Sequence, residues 1–362
     1  MIKPLVVPVI PNSPLKKKNQ RTTNGKILLR YNKKIDMIEN GYFRHELIKY
    51  DQNYQNDQSK SLIFQKHMKF IYEVLKGKFK KGKKVVEVGC GKGEFLSILK
   101  KDKFFSYEGY DSTYEGYDKK IVKRYLNSND KIKTDVVVLR HVLEHIPNPF
   151  NFLNKIKKIF GSVFILIEVP NYTWIKKNNA FYDITYEHVN YFSKKSLRLI
   201  FNNNYISSEL CFNEQYQYIL ANLKDLSFNF KKEYQKKTNW KKLNFNNLFP
   251  KIKRQIDKFD KLSKNYENIY IWGAATKGCM FLVHCLIQKK LIWKVKNAID
   301  INRSKCGKYL PMSKIKIISK YNFFKLVNQK KDLLIVSNPN YISEINNDLK
   351  KKKLTSLKII SL

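Results

Sequence analysis

Paired cysteines are missing from this sequence. Its cysteines are odd in number and scattered along the chain, at positions 90, 211, 279, 285 and 306. Disulfide frameworks and structural zinc sites are usually marked by cysteine pairs at short, regular spacings. We therefore expect neither kind of site, and we expect the chain to work in a reducing, cytoplasmic environment.

Long apolar stretches are missing as well. No run of residues approaches the roughly 18 apolar positions of a membrane-spanning helix. The first 15 residues are interrupted by four prolines and show no small-residue cleavage site of the kind that ends a signal peptide. The sequence therefore predicts neither a membrane span nor a secretion signal.

Acidic residues are scarce, with 30 Asp and Glu against 71 Lys and Arg and a net charge of +41. Such a balance ordinarily suggests nucleic acid or an anionic membrane as a partner. Arginine is scarce too, with eight among 362 residues, whereas a nucleic-acid reader is expected to use more arginine and to cluster it. We interpret the charge as a lysine-rich bias and expect no specific nucleic-acid partner, although charge alone leaves a nucleic-acid enzyme or a basic binding protein open.

Apolar residues are plentiful, at 43% hydrophobic and 14% aromatic. A chain of 362 residues with this composition can form two globular α/β domains. From the proline, lysine and apolar patterns we predict an extended or loosely docked arm over residues 1–45, a first α/β domain over 46–222, a helical linker over 223–265, and a second, smaller α/β domain over 266–362.

A glycine-rich stretch organises the first domain. The β-branched run from Val85 to Val88 predicts a buried strand, and apolar residues at helical spacing predict a helix from about residue 95. Three glycines lie between the two, so we expect a ligand to approach the backbone closely, with free amides and the positive end of the helix dipole facing it. The carboxylate of Glu87 would attract a cationic ligand and disfavour a pyrophosphate. The candidate ligand residues are Glu87, Gly89, Cys90, Gly91 and Gly93; an ordinary tight turn is the alternative.

A second acidic residue follows at nucleoside-binding spacing. A strand predicted over residues 104–110 ends at Asp111, about 20 residues after Gly91. In nucleotide-binding α/β folds an acid at this distance accepts hydrogen bonds from the ribose hydroxyls. We therefore add Asp111 and its neighbour Ser112 to the predicted ligand site, with a strand-terminal turn as the alternative for Asp111.

Two further apolar strands lead into segments rich in titratable groups. The strand over 135–139 is followed by His141 and His145, whose four-residue spacing suits a metal on a helix face. No other cluster of ligands completes such a site, so we predict no metal. The strand over 163–169 is followed by residues 181–193, which are denser in aromatic and titratable side chains than a solvent loop.

The remaining patterns complete two sheets. Strands near residues 206–212 and 216–220 predict an antiparallel hairpin closing the first sheet. Strand, glycine turn, helix, strand and acid then repeat from residue 269, which predicts a second Rossmann-like unit. Its turn lacks a full dinucleotide fingerprint, so we favour a fold that shapes the substrate site over a second nucleotide site.

Residues 87–93 resemble motif I, E/D-x-G-x-G-x-G, of the class I S-adenosylmethionine (SAM) dependent methyltransferases. Over about residues 45–345 the chain resembles the C-methyltransferase family, which includes the sugar C-3' methyltransferases. That resemblance also rests on Asp111, 140–149, 168–170, Glu187, His188, Tyr191, Phe192, 273–278, Asp300, Lys305, Gly307 and Pro311.

The resemblance implies SAM as cofactor, with Arg140 and His141 beside it. It implies His188 as the general base, assisted by Glu187 and a neighbouring tyrosine, Tyr186, and a nucleotide-linked keto sugar as substrate. Removing a proton beside a ketone before methyl transfer requires a base and a stabilised enolate.

This chain departs from that family in two places. The sugar enzymes begin with a cysteine-rich zinc module, whereas the first cysteine here is Cys90. Their Tyr-His-Glu-His signature is replaced by the sequence Thr-Tyr-Glu-His at residues 185–188. These departures bear on the substrate and not on methyl transfer. From the resemblance we predict methyl transfer to a sugar or nucleotide-sugar, on carbon in preference to oxygen. The alternatives are methyl transfer to another small molecule or, less favourably, to a nucleic acid. A further alternative is an NAD-dependent dehydrogenase that uses the second Rossmann-like unit.

Overall fold

A computed structural model describes residues 2–50, 54–55, 58–290 and 294–362. These residues form two α/β units and two additional antiparallel sheets, one of two strands and one of four. In the N-terminal segment and the first unit, the strands and helices are β1 Leu5–Pro8, β2 Asn24–Ile27, β3 Leu29–Asn32, β4 Met37–Asn40, α1 Leu62–Lys76, β5 Lys84–Val88, α2 Glu94–Asp102, β6 Ser106–Tyr110, β7 Ile121–Val122, β8 Val136–Arg140, α3 Pro149–Phe160, β9 Phe164–Pro170, α4 Tyr172–Lys177, β10 Asn190–Phe192, α5 Lys194–Leu199, β11 Ser207–Cys211 and β12 Tyr216–Asn222.

The rest of the chain contains a helical segment and the second unit. Its elements are α6 Phe228–Gln235, β13 Trp240–Lys242, α7 Phe245–Leu248, α8 Ile252–Ser263, β14 Ile269–Trp272, α9 Thr276–Ile287, β15 Val295–Asp300, β16 Ile317–Ser319, α10 Lys320–Leu326, β17 Leu333–Val336, α11 Ile342–Lys351 and β18 Lys358–Ser361.

The first unit is built on a seven-stranded sheet in the order β11-β12-β9-β8-β5-β6-β7. Strands β5 to β9 pair in parallel, and β12 and β11 add an antiparallel hairpin. All five residues of β8 are buried, as expected for a parallel strand covered on both faces. The predicted class I architecture, a parallel sheet closed by an antiparallel hairpin, is confirmed.

The second unit is a five-stranded sheet in the order β16-β15-β14-β17-β18, with every pair parallel. The first strand, β14, is central, and the chain winds outward from it in both directions. This doubly wound order places the carboxyl ends of β14, β15 and β17 at one edge of the sheet. The predicted second Rossmann-like unit is therefore confirmed.

The first 45 residues are folded, and the predicted loosely docked arm is wrong. Strands β1 and β2 form an antiparallel pair, and β3 and β4 join β10 and β13 in a four-stranded sheet. All four residues of β4 are buried, because β3 and β10 lie on either side of it. The segment predicted as a helical linker, 223–265, contains three helices but also contributes β13 to this sheet.

Candidate functional site

Two cavities open at the carboxyl ends of the strands. The first, which we call the cofactor cavity, has a volume of about 950 Å³ and lies above β5, β6 and β8. The second, the interunit cavity, has a volume of about 200 Å³ and lies between the two α/β units. His141, His145 and Glu187 line both cavities. Small-molecule sites of α/β proteins lie at this edge of the sheet.

The glycine turn forms one wall of the cofactor cavity. Gly89, Gly91 and Gly93 all have positive φ, at 76°, 56° and 79°. A Cβ on Gly91 would meet nothing within 4 Å, whereas one on Gly89 or Gly93 would come within 2.5 Å of a neighbouring side chain. The space beside Gly91 therefore admits a ligand close to the backbone. Cys90 also lines this wall, and its side chain is buried.

The amides of this turn are used within the protein. Gly89 and Cys90 donate to the Tyr110 carbonyl oxygen at 2.8 and 3.4 Å, and Gly93 donates to the Cys90 carbonyl oxygen at 2.9 Å. Gly91 donates to Asp111 Oδ2 at 2.8 Å. The prediction that free amides of the turn face the ligand is therefore wrong for these four residues, because the next strand end already accepts from most of them.

The carboxylate of Asp111 lies where the spacing predicted, at the end of β6. Its Oδ1 accepts from the backbone and the hydroxyl of Thr113, both at 2.7 Å. Each carboxylate oxygen can accept two hydrogen bonds, so Oδ1 is fully used and Oδ2, which accepts from Gly91, can still accept from one ribose hydroxyl. Ser112 also lines the cofactor cavity.

Three charged side chains stand in a row at the ends of neighbouring strands β5, β8 and β9. Arg140 and Glu168 are register partners, and Arg140 Nε donates to Glu168 Oε2 at 2.7 Å. Glu87 is 2% exposed, and its Oε2 has no hydrogen-bond partner among the residues that the structure describes. Burial raises the pKa of Glu87 to about 8, although the nearby Arg140 opposes that shift.

His141 lies between Glu168 of this row and Glu144. Its Nε2 lies 3.4 Å from Glu168 Oε1 and its Nδ1 lies 3.5 Å from Glu144 Oε1. Burial disfavours a charged imidazole, yet the two carboxylates outweigh it and raise the pKa of His141 to about 9. His141 is therefore cationic near neutral pH, and it lines both cavities.

His188 and His145 lie against each other at the junction of the cavities. Their ring centroids are 4.8 Å apart, with the planes at 81°. His145 Nδ1 lies 2.9 Å from the Glu187 carbonyl oxygen, an acceptor, so this nitrogen carries the proton. His188 Nδ1 is buried and has no hydrogen-bond partner. Burial first, and then the neighbouring His145, lower the pKa of His188 to about 3.

Glu187 points into the junction, whereas Tyr186 does not. Glu187 is 2% exposed, its Oε2 is unpartnered, and burial followed by the charge of Glu144 raises its pKa to about 8. The Tyr186 hydroxyl instead accepts from the Arg44 amide at 2.8 Å, and its ring stacks on Phe43. Tyr186 lines neither cavity. Its predicted catalytic place is therefore wrong, because its ring and hydroxyl are used to anchor the N-terminal segment.

The structure also changes the prediction about metal ligands. Among the described residues, His141 and His145 do not belong to one cluster of potential metal ligands. Instead, potential ligand atoms of Glu144, His145 and His188 lie within 4.8 Å of one another. The sequence placed Glu144 beside the two histidines but did not bring His188 to them. The expectation that nothing would complete a three-residue cluster around His145 is therefore wrong.

The second α/β unit supplies the far wall of the interunit cavity. Lys277 forms an ion pair with Asp183 of the first unit, and Lys305 pairs with Asp300 at 3.1 Å. Gly273, at φ 103°, lets Ser337 Oγ approach its carbonyl oxygen at 3.2 Å. The glycine turn and the acid at the end of β15 thus face the same cavity as His188.

Several residues of the site were missed by sequence reasoning. Tyr50 lies with its hydroxyl 3.2 Å from His145 Nδ1. Gln215 is buried, its Nε2 donates to Asn338 at 3.0 Å, and its Oε1 lacks a partner. The Tyr and Gln content of residues 49–59 predicts a lid that folds over the cofactor. Residues 51–53 and 56–57 of this segment lie outside the described part of the chain. No signal in the sequence indicated Gln215, which sits in the turn of the hairpin.

Comparison with known families and structures gives two family matches. The chain matches a methyltransferase domain over residues 60–204 and a C-methyltransferase C-terminal domain over residues 226–360. No curated protein matches the chain.

Solved structures of low identity are also similar. A SAM dependent methyltransferase from Aquifex aeolicus is 15% identical with a TM-score of 0.32, covering 42% of this chain and 88% of that chain. The PH0226 protein from Pyrococcus horikoshii OT3 is 13% identical with a TM-score of 0.39, covering 48% and 99%. Magnesium protoporphyrin IX methyltransferase from Synechocystis PCC 6803, solved with S-adenosylhomocysteine (SAH), is 13% identical with a TM-score of 0.35, covering 48% and 89%.

The two family matches follow the two α/β units. The first falls on the sheet that carries the cofactor cavity, and the second begins in the helical segment and ends with the last strand. The strand order, the glycine turn and the acids at the ends of β5 and β6 agree with that assignment. The chain is therefore a class I SAM-dependent methyltransferase that resembles the C-methyltransferases, with a methyltransferase domain followed by a C-methyltransferase C-terminal domain.

Proposed function

We propose that the protein transfers a methyl group from SAM to a carbon of a sugar or nucleotide-sugar, with His188 as the general base. The observation that carries this proposal is the meeting of the two cavities. His141, His145 and Glu187 line both, and His188 lies on the interunit side of the junction. An acceptor in the interunit cavity would thus have a base beside the opening toward the cofactor.

His188 is neutral at pH 7 and can accept a proton, but a pKa of about 3 makes it a weak base in the free protein, so its role rests on its position at the junction. Burial keeps its imidazole neutral at pH 7, so an unprotonated nitrogen is available. Glu187 keeps its proton up to about pH 8 and can donate a hydrogen bond to an enolate oxygen. His145 contacts His188 and is oriented by the Glu187 carbonyl oxygen. His188 therefore takes the proton, while Glu187 stabilises the charge left on the acceptor.

The chain's own residues fit SAM in the cofactor cavity. The open space beside Gly91, the remaining acceptor capacity of Asp111 and the unpartnered Glu87 Oε2 match an adenosine and an ammonium group. When bound, SAM supplies an electrophilic methyl group on a sulfonium sulfur. The protein's contribution is to orient the acceptor, exclude water and accept a proton.

The acceptor class is supported by the second Rossmann-like unit. Asp300, Thr276 and Ser337 line the interunit cavity at the carboxyl ends of its strands, where open α/β sheets bind nucleotides and sugars. Methyl transfer to another small molecule, or to oxygen instead of carbon, is the second candidate, because the resemblance departs at Thr185 and Tyr186. A cytoplasmic location is part of the proposal, and all five cysteines are free.

The decisive experiment measures proton exchange at carbon. The enzyme is incubated in deuterium oxide with SAH and a panel of nucleotide-linked keto sugars, and mass spectrometry records deuterium at the carbon beside the ketone. We expect exchange with the substrate but no methylation, because SAH has no methyl group to give. With SAM, we expect the same sugar to gain one methyl group.

The variant His188→Gln separates the base from the cofactor site. We expect it to lose exchange and methyl transfer while binding SAH as the wild type does. Exchange that persists in His188→Gln would contradict the assignment of the base. A chelator is added in parallel, because Glu144, His145 and His188 lie close enough to share a cation; activity lost to the chelator and restored by a divalent metal would favour metal chemistry instead.

A further inference from the structure

A buried side-chain amide lines the interunit cavity with one of its polar atoms unused. Gln215 is 2% exposed and lies in the turn between β11 and β12. Its Nε2 donates to Asn338 Oδ1 at 3.0 Å, whereas its Oε1 has no partner among the described residues. Both residues line the cavity. A buried oxygen without a donor is costly, so Gln215 Oε1 indicates a ligand that donates a hydrogen bond.

The orientation of the Gln215 amide follows from its neighbour. Asn338 Oδ1 also accepts from the backbone amide of Asn340 at 3.1 Å, so this atom must be the oxygen of the Asn338 side chain. The Gln215 atom that faces it must therefore be the nitrogen, because two oxygens without a proton repel each other. The Gln215 oxygen is thus the atom left for a ligand.

The turn that carries Gln215 is held from both α/β units. The Asn171 backbone amide donates to the Gln215 carbonyl oxygen at 2.9 Å, and the Asn171 side chain donates to the Glu214 carbonyl oxygen at 2.9 Å. From the second unit, Asn340 Nδ2 donates to the Phe212 carbonyl oxygen at 3.0 Å. Gln215 therefore needs little further ordering when a ligand binds, and a fixed polar group discriminates well between ligands.

The charges around the cavity favour a neutral donor. The two lysines that line it are already paired with carboxylates, in the pairs Lys277–Asp183 and Lys305–Asp300. A carboxylate or phosphate near neutral pH also has no proton directed to Gln215 Oε1. An ammonium group would meet the cationic His141, which lines the same cavity. A hydroxyl group is neutral and donates one hydrogen bond.

We propose that Gln215 Oε1 accepts a hydrogen bond from a hydroxyl group of the methyl acceptor, which makes Gln215 a specificity-determining residue of the interunit cavity. Asn338 of the second unit is then the positioning residue that fixes the Gln215 amide. Because the methyl acceptor belongs to the proposed function, this role of Gln215 rests on that function, and it adds a group that the methyl acceptor must carry.

Calorimetry on the full-length protein saturated with SAH tests this role without a chemical step. The ligands are nucleotide-linked keto sugars in pairs, one with a hydroxyl group at a given ring carbon and the other deoxy there. For one ring position we expect the wild type to bind the hydroxylated sugar about 5- to 100-fold more tightly, because the deoxy sugar leaves Gln215 Oε1 buried without a donor. In Gln215→Met we expect that ratio to fall to about one.

Gln217→Met is the matched control. Gln217 is also buried, its Nε2 donates to the Phe192 carbonyl oxygen at 2.7 Å, and its Oε1 has no partner among the described residues. It differs from Gln215 in lining neither cavity. We expect Gln217→Met to keep the wild-type ratio.

Three outcomes would overturn the proposal. A wild-type ratio in Gln215→Met, with both sugars weakened equally or not at all, would show that Gln215 does not select the hydroxyl group. A wild type that binds both members of every pair equally well would do so without any variant, even if Gln215→Met does not fold. A wild type that binds none of the sugars would do the same. Binding at the expected ratio without methyl transfer from SAM would instead contradict the proposed function alone.

Discussion

At the scale of single residues, neighbours in the segment 185–188 have different roles, because their side chains point to different parts of the protein. Glu187 and His188 face the junction of the cavities, whereas the Tyr186 hydroxyl bonds to both the amide and the carbonyl of Arg44. A Cβ on Gly25 would lie within 2.3 Å of the Tyr186 ring, so glycine is needed there. The family resemblance assigned Tyr186 to catalysis, but the direction of its side chain is set by its contacts with the N-terminal segment.

Tyr186→Phe tests this distinction. We expect turnover to be retained, because the hydroxyl is not in the site. We expect a loss of about 0.5 to 1.5 kcal/mol in the free energy of unfolding, the net contribution of one hydrogen bond, because Arg44 is exposed and water can reach its amide. Urea denaturation and a methyl-transfer assay measure the two effects, and a loss of turnover as large as that of His188→Gln would restore Tyr186 to the catalytic group.

Glu87 gives a prediction about pH. Its folded pKa of about 8 lies above the ordinary value of 4.5 because of burial, with Glu94, Glu168 and Asp111 adding to the shift and Arg140 opposing it. The unfolded chain therefore loses this proton first, so the contribution of Glu87 to stability is complete below pH 4.5 and is lost as pH rises through 8. Glu87→Gln should remove this part of the pH dependence.

Binding of SAM should reverse the protonation of Glu87. Near pH 7 the free protein holds the proton, and an ammonium group in the cavity favours the carboxylate, so binding releases about one proton. Because the buffer takes up the released proton, the plot of binding enthalpy against buffer ionisation enthalpy should have a slope of about −1 for the wild type and about zero for Glu87→Gln. Equal slopes for the two proteins would contradict the role of Glu87.

At the scale of elements, the turn between β5 and α2 was predictable in detail, whereas the N-terminal strands were not. A β-branched run ending in alternate glycines has few other interpretations. Strands β1 to β4 have four residues each, and β2, β3 and β4 contain polar positions. The strands that pair with β3 and β4, which are β13 and β10, come from distant parts of the chain. Pairing of that kind leaves no local pattern in the sequence.

Alanine substitutions at two glycines distinguish a clash with the bound ligand from a clash with the protein itself. Gly91→Ala should cost about 1 to 2 kcal/mol of stability, the penalty of a left-handed backbone, since its Cβ meets no atom of the protein. It should nevertheless weaken SAH binding strongly, because that Cβ enters the space kept for the ligand.

Gly93→Ala is the comparison. Its Cβ would lie 2.5 Å from Ile121 Cδ1, so strain and overpacking together should cost about 2 to 5 kcal/mol. Denaturant unfolding and calorimetry with SAH give both quantities for each variant. Similar SAH affinity for Gly91→Ala and wild type would show that the ligand does not approach the turn at this point.

At the scale of the whole molecule, the two α/β units share one site. Both sheets present their carboxyl ends to the interunit cavity, and the Lys277–Asp183 pair joins the units across it. Asn12 of the N-terminal segment donates to Thr276 of the second unit at 2.7 Å. No helix among the described residues is long and apolar enough to cross a membrane.

The sequence was sufficient for the architecture of both units and for the cofactor side of the site. Apolar strands ending in acids indicate a nucleotide-binding edge, and Glu87 and Asp111 are found there. The interunit cavity depends on packing between residues that are far apart in the chain, such as Gln215 and Asn338, 123 positions apart, or Asp183 and Lys277, 94 positions apart. Such contacts are set by the relative placement of two sheets, which no local pattern encodes.

The most direct measurement of the central claim is a crystal structure of the enzyme with SAH and a nucleotide-linked keto sugar. We expect the adenosine of SAH between Gly91 and Asp111, its sulfur directed to the opening at His141, His145 and Glu187, and the carbon beside the ketone within hydrogen-bonding reach of His188. A sugar bound outside the interunit cavity, or a dinucleotide in place of SAH, would contradict it.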